Sequence, residues 1–468
     1  MFPAESPCSL LERLSLYQCC DLHALPEDMG ERLPCLRELS ITMCGTLLEQ
    51  PDQLTSLTAL RSLNLAECAF CSLPDRFGHM PSLTTLVLHK LNIHFPASFT
   101  CLHSLESLLV ADCATLVELP DGLGGLTALK RLCVAECPSV LHECDLAELP
   151  EAVGELTRLR DLYLLSCPRI QKLPEPVAAL LRLEALVVDE CSSLFSVPTS
   201  LVNLTGLKQL KLTGCALLRR APECLPGLLE TLRLGSYQQG THLPGTYALS
   251  SLNAVTFNNV IFPSALPRSS LSSLEHLCLM LACEGEFPFP LADLPRLRTL
   301  TLTSTGVVRL PEFSSSTLQE LRQLAILMPE LTEIPATVGA LQKLTYLEIR
   351  APQLPSLPDS IGALSRLGKL ILSNSPALTH LPASLTQLAC LRELRVRKAA
   401  ITCLPANFSR LSRLQVLDLE GCKQLEALPE DVGELKLLDH LISSGCDKLC
   451  DRHGRLRISG ARISYRWF

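Results

Sequence analysis

One spacing returns nineteen times in this chain and limits what it can fold into. It is L-x-x-L-x-L, and its second leucine falls at Leu14, Leu39, Leu63, Leu86, Leu108, Leu132, Leu162, Leu186, Leu210 and Leu232. It continues at Val255, Leu277, Leu300, Leu324, Leu347, Leu370, Leu394, Leu417 and Leu441. These positions define repeats 1 to 19. Most steps are 22 to 25 residues; the step from Leu132 to Leu162 is 30, because "LHECDLAE" lengthens one loop. A unit this short cannot bury its leucines alone, but stacked units can.

Each unit has the same internal order. The alternation in L-x-x-L-x-L predicts a short strand. Ten cysteines then stand five residues after the marker leucine: Cys19, Cys44, Cys68, Cys113, Cys137, Cys167, Cys191, Cys215, Cys422 and Cys446. They form a column in which a small, weakly donating side chain turns inward to satisfy backbone groups. An "LxxLP" follows and forces an extended turn. Segments such as "PDGLGGL" (Pro120 to Leu126), "PDSIGAL" (Pro358 to Leu364) and "PEDVGEL" (Pro429 to Leu435) then allow a helical or 3₁₀ turn on the outer side. The expected fold is an α/β leucine-rich-repeat solenoid, a horseshoe with a parallel sheet on the concave face and short helical or 3₁₀ turns and loops on the convex face. The array covers residues 1–450 in about 19 units and is irregular over 229–335. There the column positions read Tyr237, Val260, Ala282, Thr305 and Pro329. Residues 451–468 carry five arginines, end in Tyr-Arg-Trp-Phe, and read as a basic-aromatic cap or tail.

"LRDLYLLSCPRIQKLPEPVAALLRL" (Leu159 to Leu183) and "LQVLDLEGCKQLEALPEDVGELKLL" (Leu414 to Leu438) resemble the repeats of plant intracellular disease-resistance receptors. The C-x-x-L-x-x-L-P variant carries the resemblance, and it extends over nearly the whole chain. The "LPxSIGxL" units are also similar to Ras-group leucine-rich-repeat scaffolds. The G-x-x-x-x-G-K-[ST] phosphate loop of the receptors has no counterpart here. The resemblance therefore implies the sensing region of such a receptor, as a piece of a longer protein. The alternative is an intracellular scaffold that assembles signalling proteins.

Composition narrows the function. The net charge of -7 argues against nucleic acid as the main partner, since phosphate binding leaves a basic footprint. No apolar run reaches membrane-span length, and the start lacks the signature of a signal peptide. The 23 cysteines are odd in number and periodic, which predicts reduced thiols in the cytoplasm rather than a disulfide framework. Cys68-x-x-Cys71 and the group Cys446, Cys450 and His453 read as structural. No cofactor, no metal and no enzyme activity are expected, because no cysteine or histidine stands in a recognisable catalytic set.

Recognition of a protein ligand is the expected function, on strand positions of the concave face. In repeats 4 to 8 the residue after the marker leucine is Val87, Leu109, Cys133, Tyr163 and Val187, an apolar stripe where a solvated strand places polar side chains. An acidic row runs beside it: Glu67, Asp112, Glu136, Asp189 and Glu190. Over repeats 15 to 17 the same face collects Arg350, Lys369, Arg395, Arg397 and Lys398. An apolar centre with a charged edge is how recognition patches are built. Neutral drift of β-favouring residues explains the stripe equally well, and a solvated charged face is the plainer explanation of the basic group.

Overall fold

A computed structural model describes residues 8, 10–47, 51–69, 72–91, 94–113, 116, 118–135, 146–235, 241–243, 251–261, 272–285, 291, 294–313 and 318–449. The chain divides into two compact units, Met1–Ala248 and Leu249–Phe468. In the first, repeats 1 to 10 each supply one five-residue strand, from Arg13–Tyr17 to Thr231–Gly235. Neighbouring strands pair in parallel, with marker leucine opposite marker leucine, as in Leu14↔Leu39 and Leu162↔Leu186. Repeats 11 to 19 also supply one parallel strand each in the second unit, from Ala254–Asn258 to His440–Ile442, of three to ten residues. Alternation places Leu162 and Leu164 inward and leaves Tyr163 partly exposed between them. Each inward leucine buried this way contributes about 2 kcal/mol.

A left-handed residue ends the strand in most repeats. Met43, Glu67, Lys90, Asp112, Ser166, Glu190, Gly214, Lys398 and Gly421, among others, all have positive φ and sit four residues after the marker. That single residue swings the next side chain beneath the strand, into the column. Cys44, Cys68, Cys113, Cys167, Cys191, Cys215, Cys422 and Cys446 are buried there, while Cys19, in repeat 1, is half-buried. Cys137 lies outside the described residues.

The thiols do the expected work. Cys68 Sγ donates to the carbonyls of Ala66 at 3.4 Å and of Ile41, one repeat back, at 3.7 Å. Cys422 donates to Val396 O at 3.1 Å and Cys446 to Leu419 O at 2.9 Å. Each thiol so ties its own turn, the strand before it, or both.

On the other side of many repeats a proline in extended conformation opens a 3₁₀ turn. Pro150, Pro174 and Pro358 precede Glu151–Glu155, Glu175–Ala179 and Asp359–Ala363. Among the described residues only Met29–Arg32 is α-helical.

Repeats 12 to 14 depart from this plan, and all three lack the left-handed residue. Four residues after their markers stand Leu281, Ser304 and Met328, none with positive φ. In repeats 12 and 13 the strands run on, to His276–Gly285 and Thr299–Val307, whereas repeats 14 and 15, also without positive φ there, keep five-residue strands. Thr305 is exposed on such a strand instead of entering the column. In repeat 14 the column is filled one residue early by buried Met328, and Pro329 is exposed. Val260 is buried as its column position requires. Tyr237 and the side chain of Ala282 lie outside the described residues, as do Cys71, Cys450, His453 and the segment 451–468.

Burial makes most column thiols chemically quiet, although a hydrogen bond with Cys167 lowers Cys191. Burial pushes Cys68 up to about 11 and Cys215 up to about 12, and raises Cys44 and Cys422 as well. The thiolate is the reactive form, so iodoacetamide at pH 8 should label exposed Cys20, Cys35, Cys101, Cys224 and Cys403 and spare Cys68, Cys113, Cys215 and Cys422. Peptide mass spectrometry reads the pattern. If Cys68, Cys215 or Cys422 reacts as fast as Cys224 in the folded protein, the stack is contradicted.

Candidate protein-recognition face

The five stripe residues come together as one row. Parallel pairing sets Val87 beside Leu109, Leu109 beside Cys133, Cys133 beside Tyr163 and Tyr163 beside Val187. Four are half-buried, and Val187 is buried. Desolvation is the main cause that raises both the Cys133 thiol and the Tyr163 phenol above their ordinary values.

The row is polar on either side. Ser40 and Asn64 precede it, joined by an Asn64 Nδ2 to Ser40 Oγ hydrogen bond of 3.1 Å. Lys211 and Arg233 follow it. A second row, two residues further along each strand, widens the apolar area with Ala111, Ala135 and Leu165. Strand alternation alone locates this second row, because residues two apart share a face.

The acidic residues divide between two roles. Glu67, Asp112 and Glu190 occupy the left-handed position that ends the strand. Glu67 pairs with Lys90 at 3.2 Å, and Ser166 donates to Glu190 at 3.0 Å. Asp189 lies on the strand and takes Lys211 at 2.5 Å together with the Thr213 hydroxyl. Asp112 keeps no ion pair among the described residues and is half-buried. Glu136 lies outside the described residues.

In the second unit the cations are interleaved with carboxylates. Arg350 pairs with Glu348 at 2.8 Å, Lys369 with Glu393 at 3.0 Å, and Arg395 also with Glu393. Arg397 reaches Asp418 at 2.5 Å and Glu420 at 3.5 Å. Lys398 is exposed and makes no ion pair among the described residues. Most of these acids sit in the same or the next repeat, where a search for like charges passes over them. Among the described residues, no group of three or more His, Cys, Asp or Glu side chains could hold a metal ion. No described helix is long and apolar enough to cross a membrane.

Short parallel strands stacked leucine on leucine, with 3₁₀ turns opposite, define the leucine-rich-repeat class. The comparisons agree: residues 30–144 match the family model described as a leucine-rich repeat region. In sequence the chain resembles plant resistance proteins. It is 32% identical over 138 residues to the TMV resistance protein N of Nicotiana glutinosa, covering 24% of this chain and 12% of that protein. It is 28% identical over 132 residues to the disease resistance-like protein DSC1 of Arabidopsis thaliana, covering 27% of this chain and 10% of that protein. The matches thus span about a tenth of each relative. Among solved structures, an LRR protein of Leptospira interrogans aligns with a TM-score of 0.51 at 22% identity, over 93% of this chain and 90% of that one. The Toll–Spatzle complex of Drosophila aligns with a TM-score of 0.52 at 17% identity, over 92% of this chain and 54% of that one. At these identities the structural likeness speaks for the fold.

Proposed function

We propose that the chain is a non-catalytic recognition module that binds a protein ligand on the solvent-facing side of its first unit's sheet, as the sensing region of an immune receptor does. The observation that carries the reading is the apolar row Val87–Leu109–Cys133–Tyr163–Val187, five repeats long, bounded by polar repeats at both ends. Aliphatic and aromatic side chains grouped in this way give most binding energy when a partner removes them from water. Resemblance to two plant resistance proteins supports the receptor setting. Unbridged cysteines throughout the described residues support a reducing, cytoplasmic location. The basic residues of repeats 15 to 17, in the second unit, form a separate charge-paired candidate surface, with Lys398 exposed and in no ion pair among the described residues.

Tyr163 is the residue to change. It is half-exposed at the middle of the row, so Tyr163→Glu should leave the fold intact and place a charge where an apolar contact forms. Partners captured by the wild type should bind about 30-fold more weakly, measured by biolayer interferometry with each isolated partner. Arg233→Glu, outside the row, serves as the control. Equal retention of every partner by the Tyr163 variant would reject the row as the binding site.

A further inference from the structure

We propose that the hollow where the strands of repeats 6 and 7 begin binds a single oxyanion, a carboxylate or a phosphate monoester, carried by the protein ligand of the first unit. Only the source of the anion rests on the recognition reading. The hollow measures about 390 Å³ and is lined by Lys130, Arg131, Arg160, Asp161 and Glu184.

Like charges neighbour one another here, as they also do at Arg37 and Arg61 and at Arg298 and Arg322, but in this place a hollow opens beside them. Lys130 and Arg160 hold the same position on neighbouring repeats, and the Arg160 N–H donates to the Lys130 carbonyl at 2.7 Å. Like charges side by side on adjacent strands repel. Here their heads turn apart, Lys130 to Glu106 of repeat 5 at 2.7 Å and Arg160 to Glu184 of repeat 8 at 3.4 Å. The space opened between them faces a third cation, Arg131.

The guanidinium groups have donors to spare. Glu184 is held closer by Lys208, at 2.9 Å, than by Arg160. The Lys208 hydrogen bond is also the main cause that lowers the Glu184 carboxyl below its usual range. Arg160 therefore shares a carboxylate already committed elsewhere. Arg131 meets Asp161 only at 3.3 Å, and both arginine side chains are 59% exposed. Each guanidinium carries five donors in a planar fork suited to two oxygens of one anion. An entering oxyanion would relieve the repulsion between Lys130 and Arg160 as well as fill those forks.

Position ties the hollow to the stripe. Arg131 and Asp161 stand two residues before Cys133 and Tyr163 on the same strands and face. A ligand resting on Tyr163 would thus present an Asp, a Glu, a chain-terminal carboxylate or a phosphorylated side chain next to its apolar contact.

The test uses the full chain, titrated with inorganic phosphate and separately with acetate, each replacing chloride at constant ionic strength. Phosphate should raise the thermal midpoint along a saturating curve. Arg160→Gln should weaken that binding about tenfold, the loss of one charged hydrogen-bond pair, while Arg233→Gln leaves it unchanged. Saturation by both anions assigns a carboxylate-bearing ligand, and saturation by phosphate alone assigns a phosphorylated one. If neither anion differs from chloride, or if Arg160→Gln binds phosphate as well as wild type, the site does not exist. Loss of partner binding in the Tyr163 variant would then still uphold recognition by the stripe.

Discussion

Replacing Arg397 by methionine is expected to destabilise the second unit by about 3 kcal/mol. The reason lies in its partner. The Asp418 side chain is 0% exposed, and Arg397 Nε donates to its Oδ2 at 2.7 Å. Its other oxygen accepts one backbone N–H, from Glu420, at 3.1 Å. Without the guanidinium, one amide must stabilise a carboxylate removed from water, and such stranded charges cost about 3–5 kcal/mol. Arg397 itself is 35% exposed, so water partly screens the pair, and the lower end of that range applies. The Asp418 hydrogen bond also raises the Arg397 pKa above its already high value, so arginine titration will not mask the loss. Urea denaturation followed by circular dichroism measures it. Arg397→Met combined with Asp418→Leu should recover most of the stability, because the stranded charge is then gone. A loss below about 1 kcal/mol in the single variant would mean that solvent reaches Asp418. Charge reversal at Arg397 is accordingly a poor probe of binding, since it unsettles the fold. Lys398, exposed and unpaired among the described residues, is the suitable one.

That pair also marks where the sequence stops being sufficient. The marker leucines, the column and the prolines repeat at one spacing, so their burial follows from the pattern alone. Cys44, Cys191 and Cys422 lie under their strands for the same reason. The turn that delivers them depends on a left-handed backbone state that Met43, Glu67 and Lys90 adopt as well as Gly214, at a steric cost that only glycine avoids, so side-chain identity does not announce it. Repeats 12 and 13 show the result: Leu281 and Ser304 stay extended there, and Thr305 never reaches the column. The candidate face was legible in part. Val87 to Val187 follow from alternation, and the pairings then set them in one row. Charge was less legible, because partners such as Lys369 and Glu393 or Arg397 and Asp418 meet only when repeats stack in register. Reading the sequence in columns instead of along the chain would have found them.

Gly362→Val should cost the second unit about 3 kcal/mol, because it forces two outer turns apart. Gly362 lies in the 3₁₀ turn Asp359–Ala363, against the next repeat's turn Ala383–Gln387. A Cβ there would sit 2.4 Å from the Ser384 carbonyl oxygen and 2.8 Å from the Ser384 Cβ. The obstacle is mostly backbone, so no side-chain rotation relieves it. The Ser384 hydroxyl is itself buried without a hydrogen-bond partner among the described residues, a sign of how closely the turns approach. Beneath them Ile361 and Leu385 are fully buried, and separating the turns would open a gap over both. Overpacking of this kind costs about 1–3 kcal/mol, and the upper end applies where backbone meets backbone. Gly339 repeats the geometry against Ser360, also at 2.4 Å, so Gly339→Val should behave alike. Gly227 supplies the contrast: nothing lies within 4 Å of a Cβ built there, and Gly227→Ala should leave stability within about 1 kcal/mol. Thermal denaturation of the three variants separates the cases. If Gly362→Val melts with the wild type, the outer turns do not touch, and the glycine of each "[IV]GxL" unit is not what allows one repeat to settle onto the next.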